Sequence, residues 1–261
     1  MRFVILLLAG LLALPAHAAL NIFATVPEWG ALAREIGGDK VDVFTATGGL
    51  QDPHHIQARP SLIARARNAD LLVATGAELE IGWLPLLQRE SGNPRIQTGQ
   101  PGLFEAARQV AMKDVPTRLD RAEGDVHPGG NPHIQTDPRN ILAVGAALAE
   151  RMAQLSPADA ATYRANWKAF SERWQAAIAR WEKQAAPLRG VPIVVQHKAF
   201  PYLEDWLGLK EVAALEPKPG VEASVAYLGT LLAQVAGAAP KLVLVAAYQS
   251  PQAAEWFGRE A

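Results

Sequence analysis

The sequence predicts an α/β protein of two lobes, each with a mainly parallel sheet flanked by helices, joined by one long linker helix. Short apolar, β-branched segments alternate with helical segments in both halves of the chain, which is typical of parallel sheets with crossover helices. Between the halves, a long segment without glycine has helical spacing. We divide the chain into a signal peptide at 1–18, a first lobe at 19–155, the linker helix at 156–187 and a second lobe at 188–261.

The first half opens with predicted strands and helices in alternation. The segment LNIFATV is apolar and β-branched, and ADLLVAT is a continuous apolar run of the kind that parallel sheets bury. We take Ser61 as the N-cap of the second helix, because its side chain can accept a hydrogen bond from an exposed N–H group there. The predicted order is strand 20–26, helix 29–36, strand 41–47, helix 61–68 and strand 69–75.

The middle of the chain, residues 156–186, predicts one helix of about 30 residues, near 45 Å long at the usual rise. Apolar and aromatic side chains recur there at three- and four-residue steps, and Pro157 stands at the first helical position, where proline is tolerated. This length suits a stiff connector between two lobes; an ordinary packed helix or a helix pair is the alternative. Beyond it, VPIVVQ at 191–196 and KLVLVAA at 241–247 predict two further strands.

Charge and cysteine content exclude several classes of protein. The chain carries 25 Lys and Arg against 26 Asp and Glu, a net charge of −1, and no cysteine. The near-neutral balance argues against a nucleic-acid-binding protein, which needs a basic surface. The lack of cysteine excludes disulfides, thiolate zinc sites, thiol nucleophiles and iron–sulfur clusters. Any metal must therefore be held by histidine, aspartate, glutamate or carbonyl oxygen.

The first residues have the pattern of an export signal. Arg2 supplies a positive start, an apolar run follows, and Ala16-His17-Ala18 forms a small-residue cleavage site. We predict cleavage after Ala18 and release into an exported compartment, a bacterial periplasm, without a lipid anchor because no cysteine stands at the cut. A retained N-terminal anchor is the alternative, although the apolar run is short for a membrane span.

Three of the five histidines beyond the signal peptide stand where ligands collect in α/β proteins. His54 follows a strand and a turn, His197 ends a strand, and His133 comes just before a helix. Ligands gather at the carboxyl ends of parallel strands, and three neutral imidazoles with one oxygen make a tetrahedral zinc site. Each histidine taken alone has the alternative of a structural or exposed side chain. We expect His55 to point away from His54, because neighbouring side chains of an extended segment alternate.

Four segments carry a resemblance to a known family: DPHHIQARPSLIARARNADLLVATGAELE, GNPHIQTDPRNILAVGAALAERM, QHKAFPYLEDWLGL and EPKPGVEAS. They resemble the signature segments of the periplasmic zinc-binding proteins of metal ABC importers, a zinc- and manganese-binding family. The resemblance implies two α/β lobes, a long rigid linker helix and a metal in the cleft between the lobes, held by His54, His133 and His197. Three histidines favour Zn²⁺ over Mn²⁺, whose binding relatives use more carboxylate.

Two features differ from that family. Its fourth ligand is usually an acidic residue beyond the strand that reads KLVLVAA here, whereas the only acids after that strand are Glu255 and Glu260, neither in a recognisable ligand context. We therefore expect the second lobe to be incomplete. The loop at 115–131 is short and expected to be mobile, and it carries Asp120, Glu123, Asp125 and His127. His127 either helps to bind zinc or is a solvated loop histidine.

Several other residues have two interpretations. Glu78 and Glu80 follow a predicted strand. They either orient a histidine ligand or are solvated charges at the start of a helix. Glu216 is a weaker candidate for an oxygen ligand. Four tryptophans are assigned to core or inter-lobe packing: Trp83, Trp167, Trp174 and Trp181.

The resemblance implies a monomeric protein that captures Zn²⁺ in an inter-lobe cleft and delivers it to a membrane ABC permease, touching the membrane complex only peripherally. It implies no enzymatic activity. The alternative class is an exported zinc-dependent hydrolase, which would need a general base near the fourth position of the metal. The sequence contains neither G-x-S-x-G nor H-E-x-x-H, the usual hydrolase signatures. A binding protein for haem or a siderophore is a second alternative.

Overall fold

The first lobe is built on a four-stranded parallel sheet. The computed structural model describes residues 18–117 and 127–261, so all but one residue of the predicted signal peptide lies outside the described part of the chain. The strands run in the order β2-β1-β3-β4, and every pair is parallel. Their bounds are Leu20–Ala24 (β1), Val41–Thr45 (β2), Leu71–Ala74 (β3) and Leu103–Glu105 (β4). The short strand β4 was not predicted from the sequence.

The second lobe contains a three-stranded parallel sheet in the order β6-β5-β7. Its strands are Pro192–Val195 (β5), Lys210–Ala214 (β6) and Leu242–Leu244 (β7). The sequence predicted β5 and β7 with longer bounds and did not predict β6. The α/β class with mainly parallel sheets is confirmed in both lobes.

Eight α-helices flank these sheets in the described residues. None of them combines the length and the apolar character needed to cross a membrane. Their bounds are Pro27–Gly37 (α1), Pro60–Arg67 (α2), Leu84–Ser91 (α3), Pro138–Leu155 (α4), Ala160–Ala185 (α5), Pro201–Leu207 (α6), Val225–Val235 (α7) and Gln252–Glu260 (α8).

The predicted long linker helix is confirmed as α5. A 3₁₀ turn precedes it at Pro157–Asp159 and another follows at Ala186–Leu188. Pro157 is the first helical residue after Ser156, as predicted, but the turn that it opens is 3₁₀, and Asp159 is the N-cap of the α-helix that follows. Helix α5 also packs along α4 and α1, so it is a packed element of the first lobe as well as a connector.

The predicted cap of α2 was also wrong. Arg59 is the N-cap, Pro60 is the first helical residue, and Ser61 lies inside the first turn. The fixed φ of proline suits the first helical position, where its missing N–H costs nothing. The helix therefore begins at the proline, two residues earlier than a cap at Ser61 would place its start.

Alternate residues of β1 face two hydrophobic cores on opposite sides of the first sheet. Ile22 and Ala24 lie in a core with α1 and α4, whereas Phe23 lies in a core with α2 and α3. This is the two-residue period of a strand that is buried on both faces. The tryptophan predictions hold where packing is described: Trp83 is buried in the second of these cores, and Trp167 and Trp174 pack against the first.

Candidate metal centre

Three histidines from distant parts of the chain meet between the two sheets. His54 lies in a turn after β2, His133 precedes the 3₁₀ turn before α4, and His197 follows β5 by two residues. One ring nitrogen from each of them lies within 4.8 Å of the others. The ring centroids are 5.4 Å apart for His54 and His133, 5.8 Å for His54 and His197, and 5.5 Å for His133 and His197. These are the three histidines that the sequence singled out.

A carboxylate orients the ring of His54. Nδ1 of His54 lies 2.7 Å from Oδ1 of Asp52, and the same oxygen accepts a hydrogen bond of 2.9 Å from the His54 backbone N–H. Burial raises the pKa of Asp52, but the hydrogen bonds and charge of His54 outweigh burial, so this pKa is below its usual value. Asp52 therefore stays ionised behind the ring and leaves Nε2 of His54 facing the cluster.

A second carboxylate orients the ring of His197. Nδ1 of His197 lies 2.7 Å from Oε2 of Glu216, and this oxygen also accepts a 2.9 Å hydrogen bond from the Gly220 N–H. The other oxygen of Glu216 accepts from Nε2 of Gln249 at 3.0 Å. Glu216 was considered as an oxygen ligand, but both of its oxygens have protein partners, and it lies behind His197 as an orienting group.

His133 is the most buried of the three rings, with 4% of its surface exposed. Burial lowers the pKa of His133 well below the usual value, and the neighbouring His54, His197 and His127 lower it further. The ring is therefore neutral at physiological pH, which is the state that binds a metal. Nε2 of His133 and Nε2 of His54 are both buried without a hydrogen-bond partner in the described residues. Buried polar atoms of this kind call for a partner, and a cation between the rings would provide one.

His127 lies beside the cluster. Its ring centroid is 5.4 Å from that of His54, and it lines a cavity of about 510 Å³ together with His133 and His197. The predicted loop groups Asp120, Glu123 and Asp125 lie outside the described residues. His127 thus borders the cluster, but it is not one of the three histidines whose ring nitrogens lie within 4.8 Å of one another.

Glu80 has a structural role that the sequence did not reveal. It is buried, with 2% exposure, and its Oε1 accepts from the Thr25 hydroxyl at 2.6 Å and from the Thr75 N–H at 2.8 Å. Its Oε2 accepts from the Gly76 N–H at 3.1 Å. Both interpretations offered for Glu80 were wrong, because it is neither solvated nor bonded to a histidine of the cluster. Glu78, by contrast, is exposed.

Sequence reasoning also missed contacts that support the site. Nε1 of Trp83 donates a 3.0 Å hydrogen bond to the carbonyl of Pro53, the residue before His54. This core side chain therefore helps to fix the turn that presents the histidine. The D-P-H spacing that placed Asp52 two residues before His54 was a signal that could have identified the orienting carboxylate.

Glu255 and Glu260, the two acids that follow the strand KLVLVAA, are exposed on α8.

Residues 22–261 match the family described as ZnuA, zinc-uptake complex component A, periplasmic. The chain belongs to the ZnuA family. The high-affinity zinc uptake system protein ZnuA of Paracoccus denitrificans (strain Pd 1222) is 25% identical in an alignment that covers 87% of this chain and 76% of that protein. The zinc-binding lipoprotein AdcA of Streptococcus pneumoniae serotype 4 is 25% identical in an alignment that covers 88% of this chain and 48% of AdcA, so this chain spans about half the length of AdcA.

The fold is shared with a solved ZnuA structure. A crystal structure of ZnuA matches with a TM-score of 0.78 at 23% identity, covering 93% of this chain and 88% of that chain. A likeness at this identity establishes the fold. The two-lobed α/β architecture with a long helix is therefore the architecture of the ZnuA family, as the sequence resemblance implied.

Proposed function

We propose that this chain binds one Zn²⁺ ion as cargo between its lobes and delivers it to the membrane permease of an ABC importer. The ligands in this proposal are Nε2 of His54, His133 and His197. The convergence of three ring nitrogens within 4.8 Å is the observation that carries it. The description of the family and the names of both relatives mention zinc, which supports the choice of metal.

The donor set favours Zn²⁺ over Mn²⁺. Imidazole nitrogen suits zinc, whereas carboxylate and water oxygens suit manganese. The carboxylates of Asp52 and Glu216 engage the Nδ1 atoms of His54 and His197. They therefore fix the rings and their tautomers, which supports nitrogen ligation without adding an oxygen ligand.

A hydrolytic role finds no support. A zinc hydrolase needs a general base near the open position of the metal, whereas Asp52 and Glu216 are engaged by the Nδ1 atoms of His54 and His197. The ZnuA family match likewise points to uptake. Assays for zinc-dependent ester, peptide and lactam turnover should detect none.

The proposal also covers the lobes, the oligomeric state and the location of the protein. The lobes are residues 19–155 and 188–261, joined by the helix at 156–187, and the mature protein works as a monomer in the periplasm without a lipid anchor. Because α5 packs along α4 and α1, it limits closure of the lobes, and release of zinc proceeds by small lobe shifts. Zinc binding weakens as the pH falls, because protons compete for imidazole nitrogens.

Zinc titration of four alanine variants tests the ligand assignment. His54→Ala, His133→Ala and His197→Ala should each lower zinc affinity by more than about 100-fold, because even groups behind a ligand are worth 10- to 100-fold. His55→Ala is the matched control, since His55 is exposed beside His54. Affinities are measured by competition with a chromophoric chelator. Wild-type affinity in all three cluster variants would overturn the proposed function.

A further inference from the structure

Asn131 connects the turn that carries His133 to the turn that carries His197. Its Oδ1 accepts a hydrogen bond of 3.1 Å from the His133 N–H, and its Nδ2 donates a hydrogen bond of 2.7 Å to the Lys198 carbonyl. His133 belongs to the first lobe, whereas Lys198 directly follows His197 in the second lobe. One amide side chain therefore contacts the backbone at or next to two of the three proposed ligands.

The two bonds of the Asn131 side chain differ in range. The bond from the His133 N–H closes an Asx turn, in which an asparagine oxygen accepts from the backbone two residues further on. Pro132 suits the middle of this turn because its φ is fixed and it has no N–H group to satisfy. The bond to Lys198 spans 67 residues of the chain. The first bond thus shapes a turn, whereas the second joins two lobes.

Both lobes also hold the backbone of Asn131. Its N–H donates to the Lys113 carbonyl at 2.8 Å, and its carbonyl accepts from the Tyr202 hydroxyl at 2.8 Å. The same hydroxyl accepts a 3.1 Å hydrogen bond from the Lys113 N–H. Tyr202 lies on α6 of the second lobe, yet its side chain is buried in the core of the first lobe with α1 and α4. The amide side chain of Asn131 therefore starts from a fixed backbone.

The spacing between the lobes decides whether the histidines can share an ion. Zinc binds imidazole nitrogen at about 2.0–2.1 Å, and a functional site needs its groups within about 0.5 Å of the correct geometry. Asp52 and Glu216 each orient a histidine of their own lobe, so neither bond fixes the distance between lobes. The bond from Asn131 to Lys198 crosses from the first lobe to the second beside His197.

We propose that Asn131 is a positioning residue that sets the spacing of His133 and His197 across the two lobes and thereby the affinity for zinc. Its Asx turn fixes the side chain relative to His133, and its bond to Lys198 holds the backbone next to His197. Without that second bond, His197 moves more freely relative to His133, and the three nitrogens match the zinc geometry less well. This inference rests on the proposed zinc-binding function.

Asn131→Ser separates the two bonds. A serine hydroxyl can accept from the N–H two residues further on, so the turn before His133 is kept, but the shorter side chain cannot reach the Lys198 carbonyl. One hydrogen bond corresponds to an affinity change of about two- to tenfold. The variant should therefore bind Zn²⁺ about two- to tenfold more weakly in competition with a chromophoric chelator. The visible bands of the Co²⁺-loaded protein should also shift, because they respond to the geometry of the ligands.

Asn166→Ser is the matched control. Nδ2 of Asn166 donates a 3.0 Å hydrogen bond to the Ile36 carbonyl, a long-range contact of the same kind within the first lobe. This variant should keep wild-type zinc affinity and wild-type Co²⁺ bands, even if urea unfolding shows that the metal-free protein is less stable. A merely structural role of Asn131 would give the same result in Asn131→Ser, a loss of unfolding free energy without a change in the metal site.

Tyr202→Phe tests the same inference through the backbone of Asn131. It removes the hydroxyl that donates to the Asn131 carbonyl, and it should weaken zinc binding and shift the Co²⁺ bands as Asn131→Ser does. Tyr227→Phe is its control, because the Tyr227 hydroxyl donates to the Ala214 carbonyl at 3.1 Å within the second lobe. Wild-type affinity and bands in both Asn131→Ser and Tyr202→Phe would overturn the inference and leave the zinc site in place. Lack of zinc binding by the wild type would instead overturn the proposed function.

Discussion

Nδ1 of His197 lies 2.7 Å from Oε2 of Glu216 in the second lobe, as Nδ1 of His54 lies 2.7 Å from Oδ1 of Asp52 in the first. The two lobes thus use the same device, a carboxylate behind an imidazole that lies beyond the end of a strand. Each carboxylate fixes the ring and its tautomer, and it leaves Nε2 for the metal. Two of the three proposed ligands are therefore oriented before an ion arrives.

Glu216→Gln should weaken zinc binding by about 10- to 100-fold, the usual effect of changing a group that supports a histidine ligand. Glutamine keeps the shape of the side chain but removes the negative charge that Nδ1 of His197 faces. Competition with a chromophoric chelator measures the change. Glu222→Gln, at an exposed site in the same segment, is the control, and equal affinities in the two variants would contradict the role given to Glu216.

The sequence predicted the histidine cluster because parallel strands impose a simple rule. Carboxyl ends of parallel strands lie at one edge of a sheet, so His54 and His197, each placed after a strand, were expected at the ligand-binding edges of the two lobes, and the family resemblance implied that these edges share a cleft. The long helix α5 was predictable as well, because its apolar spacing continues without glycine. These features depend on local periodicity, which a sequence displays directly.

Side-chain partners set by tertiary packing were not predictable. Glutamate is a residue type that is usually found on the surface. Only the fold brings the Thr25 hydroxyl and the Gly76 N–H to the carboxylate of Glu80. The strands β4 and β6 are short and lack a strong apolar run, so local pattern did not separate them from loops. Such elements depend on their neighbours more than on their own residues.

Replacing Glu80 should destabilise the first lobe without a direct effect on the metal site. Glu80→Ala leaves the Thr25 hydroxyl and the N–H groups of Thr75 and Gly76 without their acceptor, at a cost of about 2–5 kcal/mol of unfolding free energy. Urea unfolding measures the loss. The exposed Glu78→Ala should stay within about 0.5 kcal/mol of the wild type. If the Glu80→Ala protein folded but no longer bound zinc, Glu80 would instead belong to the metal site.

Glu204 should make the stability of the metal-free protein depend on pH. Burial, together with the charge of Glu211 and a hydrogen bond with it, raises the pKa of Glu204 from 4.5 to about 7, with Asp114 raising it further and Lys198 opposing the shift. The folded state therefore binds this proton more tightly than the unfolded state. The stabilisation is fully present below pH 4.5 and is lost as the pH rises to about 7.

Glu204→Gln should remove this dependence, because glutamine can donate to Glu211 at every pH. Since Glu204 is about half-buried, solvent screening reduces the effect to about 1 kcal/mol. The variant should therefore gain stability relative to the wild type between pH 5 and pH 8, as measured by thermal unfolding with a chelator present. The exposed Glu255→Gln on α8 should show no such change. Parallel stability curves for wild type and Glu204→Gln would count against the raised pKa.

Gly145 permits the close packing of α4 on α5. A Cβ atom at Gly145 would overlap the ring of Trp167, which packs against the first core. Alanine normally stabilises a helix interior relative to glycine by about 0.5–1 kcal/mol, but overpacking a filled interface costs about 1–3 kcal/mol. The clash is the larger effect, so Gly145→Ala should lower the unfolding free energy.

Gly229→Ala in α7 is the matched control, because a Cβ there meets nothing within 4 Å, and it should raise the unfolding free energy. Both substitutions make the same chemical change in a helix, so opposite changes in unfolding free energy would identify the contact with Trp167 as the cause. If Gly145→Ala instead stabilised the protein, the two helices would be able to move apart at no cost.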